Sequence, residues 1–308
     1  MRTQLLRIAV TAVLSGMLIC GNLFGPGDVC TAKASDRQNV TDAVGRISGS
    51  GAVSTVTAES EKAFGDFTGL GPADLDKMKG YREIVVDASE FSAEDIAELH
   101  RRGSSVYSYL NIGSLETYRP YYSRFAGRTL RAYGGWSDER WMDVSDTGWQ
   151  NYLVNTAAAS LVSKGIDGFF LDNLDVYSIS KTDPVFSGLT AILSGLKQKY
   201  GLRMISNGGY DFFTEALRQK IRLAELTDAV CAESVYTTVG AGSKLKINKS
   251  KDREYAVAYL NDLQANGLGI YIIEYTKSSS VARNIEAYYS GKDFTVYIAP
   301  GLSLGAPF

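Results

Sequence analysis

The sequence predicts an α/β protein with one folded domain, a closed (β/α)8 TIM barrel. Eight short apolar segments alternate with helix-like segments, which is typical of a parallel sheet. No two of these segments are joined directly by a turn of the Asn-Gly type, which would favour a hairpin. The pattern covers about 250 residues, the usual length of one closed barrel. An open doubly wound sheet is the alternative, but no G-x-G-x-x-G follows the first strand, as a dinucleotide-binding form would have.

The elements follow from local residues taken in chain order. After a weak first strand and one strong strand, Ser92 is expected to cap a helix, with Asp95 at the capping-box position and Gly103 as its end. The predicted strands are 63–67, 83–87, 106–110, 165–172, 203–206, 229–232, 269–273 and 294–298. The predicted helices are 72–79, 92–103, 148–164, 186–200, 252–266 and 278–288, with a less regular helix after residue 206.

The start of the chain has the features of an export signal. Arg2 and Arg7 flank the beginning of an apolar run at 5–19 that is too short for a confident membrane span, and Ala32-Lys33-Ala34 fits a signal-peptidase site. We therefore expect a secreted or cell-surface protein cleaved after Ala34. An uncleaved anchor and a lipoprotein modified at Cys20 are the alternatives. The predicted divisions are a signal peptide at 1–34, a flexible spacer at 35–61 and the barrel domain at 62–308.

The composition argues against several classes of function. The chain has 308 residues, with 32 Lys and Arg against 34 Asp and Glu, so it offers no basic surface for nucleic acid. The one histidine, His100, is expected at the surface, and Cys231 is expected in the core. Without a Cys/His cluster we expect neither a metal site nor a cofactor. The mature domain is expected to be a monomer that binds neither membrane nor nucleic acid.

Six consecutive predicted strands end in an acid or an amide. In a barrel the carboxyl ends of the strands converge on one mouth, which is the active-site face. Capping explains Asp or Asn at single positions, but Glu is a poor N-cap. We therefore predict one shared pocket, formed by Asp87, Asn111, Asp172 with Asn173, Asn207, Glu233, and Glu274 with Tyr275.

Asp172 is the main candidate for chemistry among these residues. The apolar run 169–171 leads directly into it, so its carboxylate is expected where a buried strand emerges. A solvated loop or a helix cap is the alternative, and Asp175 fits that alternative better than Asp172 does.

The residue types of this pocket suit carbohydrate chemistry. No catalytic histidine is expected, so a serine-hydrolase triad is unsupported, and the glycine pair after Asn207 is weak evidence for phosphate binding. Paired carboxyl groups are the machinery of glycoside hydrolysis, in which one is nucleophile or base and the other donates a proton. The insertion 112–146 adds aromatic rings against which sugars can stack, namely Tyr118, Tyr121, Tyr122, Tyr133, Trp136 and Trp141.

Several blocks of the chain, in their order and spacing, resemble glycoside hydrolase family 114. Residues 109–116 carry Y-L-N-x-G-x-x-E, residues 141–145 carry W-M-D-V-S, and residues 167–173 carry D-G-x-F-x-D-N. The segments Ser206-Asn207-Gly208-Gly209 and Ile273-Glu274-Tyr275-Thr276 are similar to later family blocks. The resemblance covers about residues 62–300.

The resemblance implies a barrel enzyme that cuts α-1,4-linked galactosamine polymers of microbial exopolysaccharide and biofilm matrix at internal positions. It places the catalytic pair on Asp172 and on Glu233, which lies in the block Cys231-Ala232-Glu233-Ser234-Val235-Tyr236. Family members often have an amide in place of Ala232, which we interpret as a shift in subsite preference. The strand ends and the family blocks together give Asp87, Tyr109, Asn111, Asp143, Asn173, Asn207, Tyr236, Glu274 and Tyr275 as candidate substrate-binding residues.

We predict that Asp172 is the nucleophile and Glu233 the general acid/base. Asn173 can donate a hydrogen bond that keeps a neighbouring carboxylate ionised, and the longer Glu233 side chain follows an apolar strand. Glu233 with Glu274 is the rival pair. The acidic pocket favours a substrate with ammonium groups, such as galactosamine or partly N-acetylated polymers. The other functions considered are a non-catalytic carbohydrate-binding barrel and a barrel acting on a phosphorylated metabolite.

Overall fold

The computed structural model of the protein describes residues 62–134, 137–240 and 244–304. The predicted signal peptide at 1–34, the spacer at 35–61 and the last four residues of the predicted domain lie outside the described residues. The first described strand is Lys62–Asp66.

Eight parallel strands form the centre of the fold, as predicted. In chain order they are β1 (Lys62–Asp66), β2 (Tyr81–Val86), β3 (Ser105–Asn111), β4 (Gly168–Asp172), β5 (Arg203–Asn207), β6 (Ala229–Glu233), β7 (Gly269–Tyr275) and β8 (Thr295–Ala299). Each strand pairs with the next one along the chain, all in parallel register.

The two outer strands of this sheet lie next to each other, so the barrel is nearly closed. Phe64 on β1 and Phe67 just after it contact the ring of Tyr297 on β8, with centroids 6.3 Å and 5.8 Å apart. Edge-to-face packing of this kind stabilises the seam. The fold is therefore a (β/α)8 barrel, and the open doubly wound alternative is wrong.

Helices surround the strands. They are Ala93–Arg101, Tyr122–Phe125, Thr147–Tyr152, Ala158–Val162, Val176–Ile179, Asp183–Tyr200, Tyr210–Arg218, Ser250–Ala265 and Ser279–Tyr289, with 3-10 turns at Pro72–Met78, Ala88–Glu90, Ala126–Arg128 and Leu223–Glu225. The capping box of Ser92 and Asp95 forms as predicted. The helix predicted at 148–164 starts one residue earlier, after the Asp146 cap, and contains a π-helical turn at Leu153–Ala157.

The longest helix shows how the outer layer packs on the barrel. Asp183–Tyr200 has Pro at its start, where a missing N–H is tolerated, and ends at Gly201, whose φ of 62° is the left-handed C-terminal conformation. Leu189, Ile192, Leu193 and Leu196 recur at helical spacing and are buried against the sheet.

Two antiparallel additions lie at the mouth of the barrel and were not predicted. The insertion after β3 contains a three-stranded sheet in the order Ser114–Glu116, Glu139–Met142, Thr129–Ala132. A hairpin of Thr237–Gly240 and Lys244–Ile247 follows β6. Strands of three or four residues carry too few alternating side chains to give a period-two signal.

His100 and Cys231 lie where they were predicted. His100 is exposed and contacts Asp167 (2.8 Å), while Cys231 is fully buried in β6. Among the described residues, no helix is both long enough and apolar enough to cross a membrane.

Candidate active site

Two carboxyl groups lie at the ends of alternate strands on the same face of the barrel. Asp172 is the last residue of β4, and Glu233 is the last residue of β6. Each is followed by a non-glycine residue in the left-handed region, Asn173 with φ 67° and Ser234 with φ 58°. Such conformations are uncommon outside glycine and cluster at functional sites.

Asn207, at the end of the intervening strand β5, joins the two acids. Its Nδ2 donates to Asp172 Oδ1 at 3.0 Å and to Glu233 Oε1 at 2.7 Å. One amide therefore holds both carboxyl groups on the same side of the mouth. The predicted pairing of Asp172 with Glu233 is thus the arrangement found at the strand ends.

The second oxygen of Asp172 is held by further donors. Asp172 Oδ2 accepts from the Tyr109 hydroxyl at 3.1 Å and from Asn173 Nδ2 at 3.2 Å. Asn111 donates to the Tyr109 oxygen at 3.1 Å and accepts from Asn173 at 3.1 Å, so these side chains form one network. Four candidate residues from the sequence thereby meet around one carboxylate.

Glu233 is held from the opposite side. Its Oε2 accepts a short hydrogen bond from the Tyr275 hydroxyl, and the Glu233 side chain is almost fully buried. The Oδ1 atom of Asn207 is buried too and has no hydrogen-bond partner among the described residues. A buried carbonyl oxygen without a donor is costly, so a hydroxyl or ammonium group of a bound ligand would be favourable there.

The pKa of the Asp172 carboxyl group lies well above its ordinary range. Burial, and next the Glu233 carboxylate, raise the pKa of Asp172 to about 7, although its hydrogen bonds lower that pKa. Asp172 is therefore a carboxyl group whose ionisation changes near neutral pH.

Two candidate acids from the strand ends have other partners. Asp87 is buried, forms an ion pair with Arg119 at 3.0 Å and accepts from Ser89 N at 3.1 Å. Glu274 is fully buried and accepts from Tyr236 N, Thr237 N and the hydroxyls of Thr237 and Tyr289. These contacts give both acids a structural role, and they bring neither one to Asp172.

Asp143 and Tyr236 also make contacts outside the network around the pair. Asp143 Oδ1 accepts from the backbone N–H of Ser145 at 3.1 Å and from its hydroxyl at 2.6 Å, which closes a local turn. The buried Tyr236 ring packs against Tyr288 and lies under the Arg253 guanidinium, 4.5 Å from the ring centroid.

A second group of acids behind Tyr109 was not predicted. Glu116 Oε1 lies 3.3 Å from the Tyr109 hydroxyl and shares its single proton with Asp172, and Glu139 accepts a hydrogen bond from Ser114. Burial, and next the Glu116 carboxylate, raise the pKa of Glu139 to about 8. Both glutamates lie on short strands of the insertion. Glu116 closes the Y-L-N-x-G-x-x-E block, which was the available signal for it, whereas Glu139 could have been found only from a β-strand assignment in the insertion.

Asp66 is another acid of the mouth that was not predicted, in addition to Glu116 and Glu139. Asp66 ends β1, where the sequence suggested only a weak strand, and its side chain is buried. It accepts from Thr68 N at 3.0 Å, and burial raises its pKa to about 7. Glu233 is one of the charges that act on it, so Asp66 lies near the pair.

The aromatic residues of the insertion divide between the site and the packing. Tyr133 stacks on Trp141 with centroids 4.2 Å apart, and its hydroxyl donates to Asn173 at 2.8 Å. Tyr121 packs with Tyr152 and Trp149 away from the pair, whereas Tyr118 is exposed and donates to Glu116. Tyr122 is half-buried against the core, and Trp136 lies outside the described residues.

Glycines allow close contacts at the site. A Cβ on Gly113 would lie 1.7 Å from the Asn173 carbonyl oxygen, so only glycine fits where the insertion passes the end of β4.

The N–H groups of Gly208 and Gly209 donate to Cys231 O and Asp175 Oδ1, at 3.0 Å and 3.1 Å. These two N–H groups are therefore engaged within the protein, which disfavours the phosphate interpretation.

The acid-rich mouth does not form a metal centre in the part of the chain that the structure describes. No group of three or more His, Cys, Asp or Glu side chains there has a geometry suited to a metal ion.

Comparison with known proteins gives one family and several similar folds. The family model described as Glycoside-hydrolase family GH114 matches residues 70–305. A search of curated proteins found no match.

Two solved structures share the fold over most of their length. The glycoside hydrolase domain of PelA from Pseudomonas aeruginosa has a TM-score of 0.65 and 22% identity, over 79% of this chain and 96% of that one. Ega3 from Aspergillus fumigatus was solved in complex with galactosamine. It has a TM-score of 0.59 and 16% identity, over 80% of this chain and 93% of that one. At these identities the likeness shows a common barrel.

Proposed function

Because the chain belongs to glycoside hydrolase family GH114, we propose that it cleaves a polymer of α-1,4-linked galactosamine or N-acetylgalactosamine at internal positions. In this proposal Asp172 is the nucleophile and Glu233 is the general acid/base. The observation that carries the proposal is the single amide of Asn207 bridging the two carboxyl groups. The galactosamine bound in the Ega3 structure, which has a similar fold, supports the choice of sugar.

The spacing of the pair supports a retaining mechanism. Since Asn207 Nδ2 contacts both acids, Asp172 Oδ1 and Glu233 Oε1 cannot be farther apart than the sum of 3.0 Å and 2.7 Å. That limit applies to these two oxygens only, and it favours the roughly 5–5.5 Å separation of carboxyl groups in retaining enzymes over the roughly 6.5–9.5 Å of inverting ones. Asp172 would attack the anomeric carbon as Glu233 protonates the leaving oxygen, and Glu233 would then activate water.

The charge of the mouth supports an aminosugar. Asp66, Asp172, Glu233, Glu116 and Glu139 are buried or half-buried within this region. A cationic ammonium group would relieve the repulsion between neighbouring carboxylates, while a neutral sugar would not. The stacked Tyr133 ring, bonded to Asn173, supplies an apolar edge beside the pair.

Incubation with partially N-acetylated α-1,4-galactosamine polymer tests the proposed function. We expect new reducing ends and a rapid fall in polymer length, because internal cleavage shortens long chains first. Release of single sugars without that fall would contradict internal cleavage. Polymer binding without any new reducing ends would favour the non-catalytic carbohydrate-binding alternative.

The activity should depend on pH with a fall on the acid side. The proposed nucleophile Asp172 must be ionised, and its pKa is raised to about 7, so the reactive carboxylate is lost as pH falls through that value. We expect kcat/KM to fall about tenfold per pH unit below it. Tyr109→Phe removes a donor that lowers the Asp172 pKa, so this fall should move to higher pH. A rate that is constant from acid to alkaline pH would contradict a two-carboxyl mechanism.

We also propose that the protein is exported, that cleavage follows Ala34, and that the barrel domain beginning near residue 62 acts as a monomer outside the cell. The support for export is the sequence of the first 34 residues.

A further inference from the structure

A groove on the outer layer of the barrel is separate from the catalytic network. It lies between helices Tyr210–Arg218 and Ser250–Ala265 and has a volume of about 340 Å³. Its two walls are helical stripes at i, i+4 and i+7 spacing that face each other. The side chains are Tyr210, Thr214 and Leu217 on one helix and Tyr255, Tyr259 and Asp262 on the other.

The groove exposes two large aromatic rings. Tyr210 is 37% exposed and Tyr255 is 54% exposed, and they are two of only five large hydrophobic side chains that are exposed in the described part of the chain. Exposed apolar groups scattered singly need no explanation, but two rings in one groove indicate a binding surface.

The rings are fixed before any ligand arrives. Tyr210 packs on Tyr259 with centroids 4.1 Å apart, and the Tyr259 hydroxyl donates to the Tyr210 carbonyl oxygen at 3.3 Å. The hydroxyls of Tyr210 and Tyr255 form a short hydrogen bond with each other. A platform held in this way loses little conformational entropy when it binds.

We propose that this groove is a second carbohydrate-binding site, which holds a stretch of aminosugar polymer outside the active site. The inference rests on the proposed function for the nature of the polymer. The apolar faces of hexose rings would stack on Tyr210 and Tyr255. Asp262, exposed at the groove, supplies a negative charge for an ammonium group, so the site should favour deacetylated sugars.

The position of the groove connects it to the mouth. Tyr210 comes three residues after Asn207, and only Gly208 and Gly209 separate the two. The groove therefore begins at the end of the barrel where the catalytic pair lies. A polymer bound in both places would dissociate more slowly, because the second contact is intramolecular once the first has formed.

Binding by an inactive protein tests the site. In a Glu233→Gln background, Tyr255→Ala should weaken retention of partially N-acetylated galactosamine polymer about tenfold. Tyr255→Phe is the matched control, because it keeps the ring and loses only the hydroxyl bond to Tyr210, so it should retain most of the binding that Tyr255→Ala loses. Asp262→Asn should weaken binding of deacetylated polymer and leave binding of fully N-acetylated polymer unchanged.

Turnover in the active protein separates this inference from the proposed function. Tyr255→Ala should cleave a short oligosaccharide at the wild-type rate and long polymer more slowly. If the wild type cleaves polymer and Tyr255→Ala binds and cleaves it equally well, the groove is not a polymer site. A change from dimer to monomer in Tyr255→Ala by light scattering would instead make it a self-association surface and overturn the inference. If the wild type cleaves neither substrate, the proposed function fails, while ring-dependent polymer binding would still support the groove.

Discussion

Asp172→Asn and Glu233→Gln should each fold normally and lose about 10³-fold or more of polymer cleavage. Asn207 donates to both carboxyl groups, and an amide in place of either acid keeps the shape of the site but removes the nucleophile or the proton donor. Glu233→Gln should leave thermal unfolding within a few degrees of wild type. In Asp172→Asn the new amide must face an N–H donor of Asn207 or Asn173, so we expect a folded protein with a loss of about 1–3 kcal/mol. Initial rates of reducing-end formation and melting curves, measured on the same preparations, check both statements.

Asp172→Asn and Glu233→Gln should respond differently to an activated substrate. A good leaving group needs no protonation, so it should partly restore the first step in Glu233→Gln but not in Asp172→Asn. Rescue of Asp172→Asn alone would reverse the assignment of roles. Full activity of Asp172→Asn on polymer would remove this residue from the chemistry.

Glu274→Ala should destabilise the fold by about 3–5 kcal/mol, the largest stability effect we expect at the mouth. The fully buried Glu274 carboxylate accepts from Tyr236 N at 2.5 Å, Thr237 N at 2.8 Å and the Tyr289 hydroxyl at 2.6 Å. Its removal leaves two backbone N–H groups at the base of the hairpin after β6 without that acceptor. Denaturant unfolding of the domain measures the loss.

Glu274→Gln provides the contrast with Glu233→Gln. The amide group introduced by this substitution would face at least one backbone N–H donor, so we expect a loss of about 1–3 kcal/mol with a measurable fraction of turnover retained. Glu233→Gln should show the reverse, with stability kept and turnover lost. Loss of all turnover in Glu274→Gln at unchanged stability would restore Glu233 and Glu274 as the rival pair.

The barrel and the centre of the site were predictable because both depend on simple periodic features. The strands alternate with helices, which requires a parallel sheet, and parallel strands place their carboxyl ends on one face. Asp172, Asn207 and Glu233 end three successive strands, so their meeting follows from the order of the chain.

The roles of the other strand-end acids depend on side-chain direction. Successive residues of a strand point to opposite faces, and Tyr275 reaches Glu233, so Glu274 points the other way. The alternation of side chains can be predicted from the sequence. Whether Glu274 or Tyr275 faces Asp172 and Glu233 depends on the register of β7. The ion pair of Asp87 with Arg119 could not be predicted from the sequence, because it depends on how the insertion folds back over the mouth.

The anomeric configuration of the first product tests the central claim most directly. Proton NMR during the first minutes of cleavage of an α-1,4-galactosamine oligosaccharide should show the α reducing end before mutarotation produces the β form. This follows from a pair close enough to share one amide, with Asp172 forming a covalent intermediate. Initial formation of the β anomer would contradict the retaining pair of Asp172 and Glu233.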